Sequence, residues 1–358
     1  MNRLLGIFIF SCCVLILAGL QTACEVAPVD VDPTDTFPPY EPTFVTLDLP
    51  DYFPIMDIPA ENPLTEEGIL LGRKLFYDPI LSADSSLSCS GCHKAKDAFT
   101  DIRRFSKGVD GSIGGRQAMP VMNLGWMNTF FWDGRAGSIE EQALAPVENP
   151  IEMKESWPNV VDKLQRHSDY PRLFHRAFGT SIITKELTAK AIAQFERTMV
   201  TKNAKFDREK QGKVFYTADE QDGFDIFFSE RGDCFHCHGG VLLTDNLFHN
   251  NGLDSIPDDI GLENVTKSEF DRGKFKTPTL RNIELTAPYM HDGRFATLEE
   301  VIDFYSEGLQ KSPTIDPLMK GLKRGGMQFN KYEKQSLLLF LKTLTDTSFI
   351  NNPDFAPL

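Results

Sequence analysis

The sequence predicts a mostly α-helical protein with long loops, built from two related halves. Helix-start signals recur along the chain, strand signals are sparse, and one set of motifs occurs twice in the same order. The clearest helix-start signal is the capping box, a Ser or Thr followed three residues later by a Glu, because these side chains bond the free N–H groups at the start of a helix. Such boxes stand at Ser138/Glu141, Thr217/Glu220 and Thr297/Glu300.

Apolar spacing predicts three more helices. Thr65, followed by two glutamates, should open a helix whose apolar side chains recur every three or four residues. The same spacing predicts helices over residues 187–199 and 334–344. Most of the chain's regular structure is therefore expected to be helical.

The repeated set begins with the motif C-x-x-C-H, which is the attachment signature of c-type haem. The two cysteines bond the haem covalently, and the adjacent histidine ligates the iron. The first copy supplies Cys89, Cys92 and His93, and the second supplies Cys234, Cys237 and His238.

The alternatives for these motifs are a zinc site or disulfides. Zinc would need a further Cys or His pair close by, and the sequence has none near His93. Disulfides would not explain a histidine directly after each cysteine pair. Cysteine and histidine are scarce, with seven of each in 358 residues, so two matches are far beyond coincidence. We therefore expect two covalently bound c-type haems.

A second signature follows each haem motif: Asp-Gly-Arg and then a capped helix. Because the order is the same both times, we expect two homologous cytochrome-c-like haem domains. Pro146 lies thirteen residues after Asp133, and Tyr305 lies thirteen residues after Asp292. Proline cannot ligate iron through its side chain, whereas a tyrosine phenolate can. The repeat suggests one haem with an open distal face and one with a tyrosine ligand; the alternative is that Tyr305 is an ordinary packing aromatic.

The N-terminus resembles an export signal. Residues 1–23 carry Arg3 before a long apolar run, and Cys24 resembles the lipid-modified cysteine of a bacterial lipoprotein. The alternatives are plain cleavage and an uncleaved anchor. We expect a periplasmic or cell-envelope protein that contacts the membrane only through a lipid anchor. The expected Pro- and Asp-rich linker, N-terminal haem domain, C-terminal haem domain and tail span residues 24–51, 52–210, 211–346 and 347–358.

The formal net charge of −14 limits the classes of partner. An acidic protein is repelled by the phosphates of nucleic acids, so we expect no nucleic-acid partner. The charge permits a basic redox partner but is also typical of a merely soluble surface.

The chain resembles the bacterial di-haem cytochrome c peroxidases and the related MauG-type enzymes. The resemblance runs from about residue 52 to residue 344 and rests on stretches with specific sequences. These are LGRKLF at residues 71–76, FWDGR at 131–135, KTPTLRN at 276–282 and TAPYMHDG at 286–293.

This resemblance implies roles for individual residues. The N-terminal haem would react with hydrogen peroxide, and Gln142, Pro146 and Glu152 match the distal-pocket residues of the family. Glu152 would move a proton between the peroxide oxygens, Gln142 would position peroxide, and Pro146 would keep the haem face open. Trp132 matches a tryptophan placed between the two haems. The alternatives are a surface carboxylate for Glu152 and a simple interface aromatic for Trp132.

Two departures from the family pattern bear on the iron ligands. Many di-haem peroxidases carry a resting-state histidine ligand after the first haem motif, but this chain has no histidine between residues 94 and 166. We therefore expect the first haem to be open without reductive activation; Met119 and Met122 are the local rival ligands. The second departure is Tyr305, since this position is methionine in the peroxidases and tyrosine in MauG-type enzymes. The methionine alternatives at the second haem are Met290 and Met327.

The family also binds calcium near the interface between the haems. Thr286 and Pro288 match its backbone-carbonyl ligands, and Gln117 stands where an asparagine ligand is usual. A glutamine can still offer its amide oxygen. Asp110 and Asp133, the nearby carboxylates, can also be ordinary loop residues.

The leading expectation is an enzyme that reduces hydrogen peroxide to water, with electrons entering through the C-terminal haem from a small cytochrome c or copper protein. The alternative is a MauG-type oxidase, which uses peroxide-derived high-valent haem to oxidise a protein substrate. A non-catalytic di-haem electron carrier would instead need both irons six-coordinate, without a use for Gln142 and Glu152. A structural or sensory lipoprotein is a further alternative, which the full set of pocket residues disfavours.

Overall fold

The structure, a computed structural model, describes residues 37–358. The expected signal segment, Cys24 and part of the 24–51 linker lie outside these residues. Residues 38–358 form one compact unit. Among the described helices, none is long and apolar enough to cross a membrane.

Helices make up most of the regular structure, as expected, and the only strands among residues 37–358 are two of two residues each. The strands β1 (Phe248–His249) and β2 (Phe275–Lys276) form an antiparallel pair. The helices are α1 (Glu66–Tyr77), α2 (Ile139–Glu148), α3 (Trp157–Arg166), α4 (Tyr170–Phe178), α5 (Lys185–Thr198), α6 (Lys205–Lys210), α7 (Ala218–Phe227), α8 (Glu263–Thr266), α9 (Leu298–Asp303), α10 (Lys331–Lys342) and α11 (Thr347–Ile350).

The helix starts largely follow the caps expected from the sequence. Thr65 caps α1, and complete capping boxes open α7 and α9. At α2 the box is modified: Ser138 accepts from the backbone of Glu141, while the Glu141 carboxylate accepts from Gly137 N at 2.7 Å. Helices α3, α4 and α6 were not expected, because they are short and lack the Ser/Thr-to-Glu signal.

Two helix pairs form the frame of the molecule, α1 against α5 and α7 against α10. Each pair crosses at a glycine. A Cβ at Gly72 would lie 1.9 Å from the carbonyl oxygen of Ala191, and a Cβ at Gly223 would lie 2.0 Å from that of Ser336. Only glycine permits such close contact between two helix backbones.

Backbone details also occur twice. Asn123 and Asn282 both adopt a φ of 55°, each just before a short 3₁₀ turn. Phe131 and Met290, each two residues before the aspartate of Asp-Gly-Arg, also have positive φ, at 65° and 73°. These matches are consistent with two related halves; the domain boundaries at 52–210 and 211–346 stay a prediction.

The haem motifs lie against the hydrophobic core. Cys89 packs on two clusters of buried apolar side chains, one around α3 and α4 and the other around Phe76 and Phe195. Cys234 packs on a third cluster, built around Phe340 of α10. Each motif is thus held by the helix pair of its own half of the chain.

Candidate functional site

Both C-x-x-C-H motifs fold into the same tight turn. Residues Cys89–Gly91 and Cys234–His236 form 3₁₀ turns. The turn closes when the backbone N–H of the histidine donates to the carbonyl of the first cysteine, at 2.9 Å for His93 and 2.8 Å for His238. The two cysteines and the histidine of each motif are therefore brought together by local structure alone.

The two histidines are oriented in the same way. Nδ1 of His93 lies 3.0 Å from the carbonyl oxygen of Phe99, and Nδ1 of His238 lies 3.1 Å from that of Leu243. A carbonyl only accepts, so Nδ1 carries the proton and Nε2 keeps its lone pair for a metal. Burial lowers the pKa of both histidines, which favours the neutral, ligating form.

A cavity of about 560 Å³ lies beside the first motif. The cavity is lined by His93 and by the three residues that the family resemblance assigned to the distal pocket, Gln142, Pro146 and Glu152. Trp132, expected between the two haems, lines it as well. These four expected residues come from the Asp-Gly-Arg loop, from helix α2 and from the loop that follows α2. The structure thus brings the expected distal-pocket residues to one place.

Helix α2 and its end position the polar groups of the cavity. Gln142 and Pro146 lie one helical turn apart, and Pro146 has no N–H with which to bond the carbonyl of Gln142. After the helix, Asn149 donates from Nδ2 to Oε1 of Glu152 at 2.6 Å. Asn149 was not singled out from the sequence, although its position three residues before a glutamate is a weak signal for such a bond.

The Glu152 carboxyl group is electrostatically unusual. Burial raises its pKa, while the positive charge of Arg135 and the hydrogen bond from Asn149 act in the opposite direction. Arg135 also lines the cavity, and its guanidinium carbon lies 3.5 Å from the centroid of the Phe131 ring. A carboxyl group whose pKa is raised towards neutrality is suited to accept and return a proton.

Two further polar groups line the cavity, and sequence reasoning missed both. Lys276 is only 1% exposed, and burial lowers its pKa to about 8. Its ammonium donates to the backbone carbonyl of Thr129, and within residues 37–358 it forms no ion pair with a carboxylate. The hydroxyl of Thr129 has no hydrogen-bond partner in the described part of the chain.

These groups fit a haem in three respects. The cavity volume lies in the range of cofactor sites. The four motif cysteines form no disulfides within the described residues, so their sulfur atoms are not committed to one another. A propionate carboxylate would give Lys276 a charged partner and Thr129 a hydrogen-bond acceptor, which removes the cost of burying both unpaired.

Trp132 lies between the cavity and the second half of the chain. The indole is buried and donates from Nε1 to the carbonyl oxygen of Gln117 at 2.8 Å. Its ring packs edge-on against His291, with 6.5 Å between the ring centroids, and His291 stacks on Phe275 with 3.6 Å between the centroids. An unbroken aromatic contact therefore links the cavity wall to residues of the second half.

Tyr305 lies in the π-helical turn Phe304–Gly308, directly after α9. Its phenol lies near enough to Cys234 and Cys237 for their charges to affect its pKa, which places it close to the second haem motif. Burial raises its pKa to about 12, and a hydrogen bond from Asn251 at 3.1 Å opposes that rise. A bound metal cation would reverse the effect of burial and favour the phenolate.

The methionine alternatives differ in their surroundings. Met290 Sδ lies 3.7 Å from the same Asn251 amide nitrogen that bonds Tyr305. The backbone N–H of Met327 donates to the carbonyl of Tyr305. In the first half, Met119 lines the cavity, whereas Met122 is fully buried in the core.

The expected calcium residues come from two distant parts of the chain, and the N–H groups of Gln117 donate to other residues. The Gln117 backbone N–H donates to the His291 carbonyl, and its side-chain nitrogen donates to Thr100 Oγ1 at 2.9 Å. Thr286 directly precedes Ala287, whose peptide bond to Pro288 is cis.

The two nearby carboxylates are used in ion pairs. Asp133 contacts Arg116 at 2.7 Å, and Asp110 contacts Lys154 at 2.8 Å. These contacts favour their interpretation as loop residues.

The fold and the site define a haem-binding redox protein with a cavity for a small molecule beside one haem motif. Residues 66–214 match the family described as di-haem cytochrome c peroxidase. The chain is 38% identical to the methylamine utilization protein MauG of Methylorubrum extorquens, over 80% of each chain. It is 35% identical to the cytochrome c551 peroxidase of Nitrosomonas europaea, over 84% of this chain and 86% of the relative.

A solved structure agrees with these relatives. The crystal structure of a MauG-like protein associated with microbial copper homeostasis aligns with a TM-score of 0.82 and 39% identity. The alignment covers 87% of this chain and 99% of that one. The chain belongs to the di-haem cytochrome c peroxidase family and is an oxidoreductase of that family, which implies two haems.

Proposed function

We propose that the protein reduces hydrogen peroxide to water at its first haem, with electrons that enter through the second. Each peroxide takes up two electrons and two protons and leaves as two water molecules. The observation that carries this proposal is that Gln142, Pro146 and Glu152 line one cavity with His93. A small polar substrate in that cavity would meet one hydrogen-bonding amide and one titratable carboxyl group.

The first haem would be held by Cys89, Cys92 and His93, and the second by Cys234, Cys237 and His238. When bound, haem would supply the iron that takes up peroxide and the electrons that break its O–O bond. All other steps fall to side chains of this protein.

Each cavity residue has a distinct task. The Gln142 amide hydrogen-bonds peroxide and so fixes its orientation. Glu152 accepts the proton from one peroxide oxygen and returns it to the other, so that the second oxygen leaves as water. Asn149 holds the carboxyl group of Glu152 in place for both transfers. Pro146 offers no ligand atom, so it would leave the iron of a bound haem accessible to substrate from the cavity.

Electrons would pass from the second haem to the first by way of Trp132. The buried indole, with His291 against its edge, offers an aromatic route between the two halves. The donor would be a small cytochrome c or a copper protein. In the second half, Tyr305 would be the distal ligand that closes the iron to peroxide.

The remaining assignments complete the proposal. The haem domains would span residues 52–210 and 211–346, with a calcium ion held by Gln117, Thr286 and Pro288. Cys24 would carry a lipid that anchors the protein in the periplasm after removal of residues 1–23.

A second function is favoured by Tyr305 and by the relatives. Both the Methylorubrum extorquens protein and the solved MauG-like structure are named for MauG. In this alternative, the oxidising power derived from peroxide acts on side chains of a protein substrate. The same cavity residues would serve both reactions, because both begin with cleavage of the peroxide bond.

Steady-state peroxide consumption tests the proposal. With a reduced small cytochrome c or copper protein, we expect two donor molecules to be oxidised for each peroxide consumed. Cyanide should bind one haem per chain. If neither haem binds cyanide and peroxide is not consumed, the protein is an electron carrier. If consumption needs an added protein and leaves its side chains oxidised, the MauG-type function is the correct one.

A further inference from the structure

Three consecutive side chains hold the segment that carries Tyr305. His249 donates from its two ring nitrogens to Asp245 at 2.8 Å and to Asp316 at 2.6 Å. The next residue, Asn250, donates from Nδ2 to Ser312 Oγ at 3.1 Å and to Thr314 Oγ1 at 2.9 Å. The third residue, Asn251, bonds Tyr305 itself.

Backbone hydrogen bonds reinforce this docking. The N–H of Gln310 donates to the carbonyl of Gly252 at 2.7 Å, and the N–H of Asp316 donates to that of Asn250 at 2.9 Å. The segment after the π-helical turn is thus held at several points that do not involve the Asn251 side chain. Loss of the Asn251 amide should therefore leave the fold intact.

The Asn251 amide lies between two atoms that can each ligate iron. Its Nδ2 is 3.1 Å from Tyr305 Oη and 3.7 Å from Met290 Sδ, so its two hydrogens can serve both. The phenolate oxygen accepts a charge-assisted hydrogen bond, about twice as strong as a neutral one. A thioether sulfur is only a weak acceptor. The amide therefore stabilises tyrosine as an anionic ligand much more than it stabilises methionine.

From this geometry we propose that Asn251 is a positioning residue that selects Tyr305 over Met290 as the distal ligand of the second haem. The inference rests on the proposed function, in which Tyr305 is that ligand. Asn251 need not touch the iron, since it acts through the oxygen atom of Tyr305. The choice of ligand matters because methionine raises the haem potential, whereas an anionic phenolate stabilises the ferric state.

The test replaces Asn251 with leucine, which has a similar shape but no donor. In the haem-loaded Asn251→Leu protein, the ratio of tyrosine-ligated to methionine-ligated second haem should fall on the order of tenfold or more, because a hydrogen bond to a charged group is lost. The readouts are electron paramagnetic resonance, the near-infrared band of His–Met ligation and the reduction potential, which should rise. The double variant Asn251→Leu/Met290→Leu should lose the near-infrared band, which separates Met290 from Met327.

Gln310→Leu is the matched control, since it removes an exposed amide on the same segment that does not contact Tyr305. It should keep the wild-type spectrum. Asn251→Ala gives a second test if the leucine variant fails to fold. If an Asn251 variant keeps wild-type tyrosine ligation of the second haem, whatever its reduction potential, this inference is overturned and the proposed function is not affected. A wild-type protein without tyrosine ligation would instead overturn the ligand assignment in the proposed function.

Discussion

The two halves of the molecule share a backbone plan but differ in the side chains around the iron positions. Each half crosses two helices at a glycine, folds C-x-x-C-H into a 3₁₀ turn and orients the histidine through a backbone carbonyl. In the first half, the position thirteen residues after the Asp-Gly-Arg aspartate is Pro146, which lines a cavity. In the second half it is Tyr305, whose phenol lies close to the haem cysteines.

We infer from this comparison that the shared backbone would position each haem, whereas a few side chains would determine how the haem reacts. The residues that differ lie on helices α2 and α9 and in the turns after them, where a substitution leaves the frame in place. A loop at the end of α2 adds Asn149 and Glu152 to the first site. At the second site, Asn251 comes from a distant segment and bonds the tyrosine. Under the proposed function, the difference between an open and a closed iron would therefore depend on a few side chains, one of which comes from a distant segment.

Loss of the Glu152 carboxyl group should have the largest effect. We expect Glu152→Gln to slow peroxide reduction by about 10²- to 10⁴-fold, the range typical of a lost acid–base group. The variant keeps the shape of the side chain, so haem content and cyanide binding should not change. Steady-state peroxide consumption measures the effect. Unchanged turnover would remove Glu152 from the mechanism and weaken the contrast between the halves.

The shared frame can be tested at its two helix crossings. Gly72→Ala and Gly223→Ala each place a Cβ about 2 Å from a backbone oxygen, so both should destabilise the fold by about 1–3 kcal/mol or more. Thermal unfolding of the haem-loaded protein measures this. Gly114→Ala is the control, because its Cβ would meet no atom nearer than 3.8 Å. If only one crossing is sensitive, the halves do not share the same packing.

Much of this arrangement follows from local sequence. The haem motifs, the helix caps and the contrast between Pro146 and Tyr305 could be predicted, because each depends on short motifs or on a fixed spacing from one. The family resemblance added Gln142 and Glu152 to the first site. The structure then brought these residues to one cavity.

Apart from Asn149, the residues that sequence analysis missed depend on contacts between distant segments. Asn251 bonds a tyrosine 54 positions away, and Lys276 bonds a carbonyl 147 positions away. No local pattern distinguishes these side chains from ordinary loop residues. Their roles are visible only once packing buries them and leaves few partners within reach.

A buried carboxyl group gives the halves different responses to pH. The helix glycines contact the carbonyl oxygens of Ala191 on α5 and Ser336 on α10. Five residues after these two positions stand Glu196 in the first half and Leu341 in the second, so the two side chains occupy equivalent places. Glu196 is only 4% exposed, and burial raises its pKa from 4.5 to about 8. Between these values the unfolded chain releases the proton and the folded protein keeps it. Stability should therefore fall as the pH rises through this window.

Glu196→Leu, which copies the second half, should remove that dependence. We expect little change in melting temperature at pH 5 and a clear increase at pH 8, where the free energy of unfolding should rise by up to a few kcal/mol. Glu186→Leu is the control, since this glutamate is exposed on the same helix. Equal effects of Glu196→Leu at both pH values would show that the carboxyl group is not held protonated.

The smallest effect should come from Asn149, which acts on Glu152 through a hydrogen bond. Its hydrogen bond to Glu152 lowers the pKa of a carboxyl group that burial raises above 4.5. Because Glu152 accepts a proton only when ionised, turnover falls as the pH falls through that pKa. Asn149→Ala should therefore shift the acid limb of the pH profile upwards, by about half a unit to one unit. Asn159→Ala, which removes an exposed amide bond to Glu155 at 3.2 Å, should leave the limb in place. A limb that does not move in either variant would mean that Glu152 does not set the pH dependence, so that its carboxyl group acts only by shape and polarity.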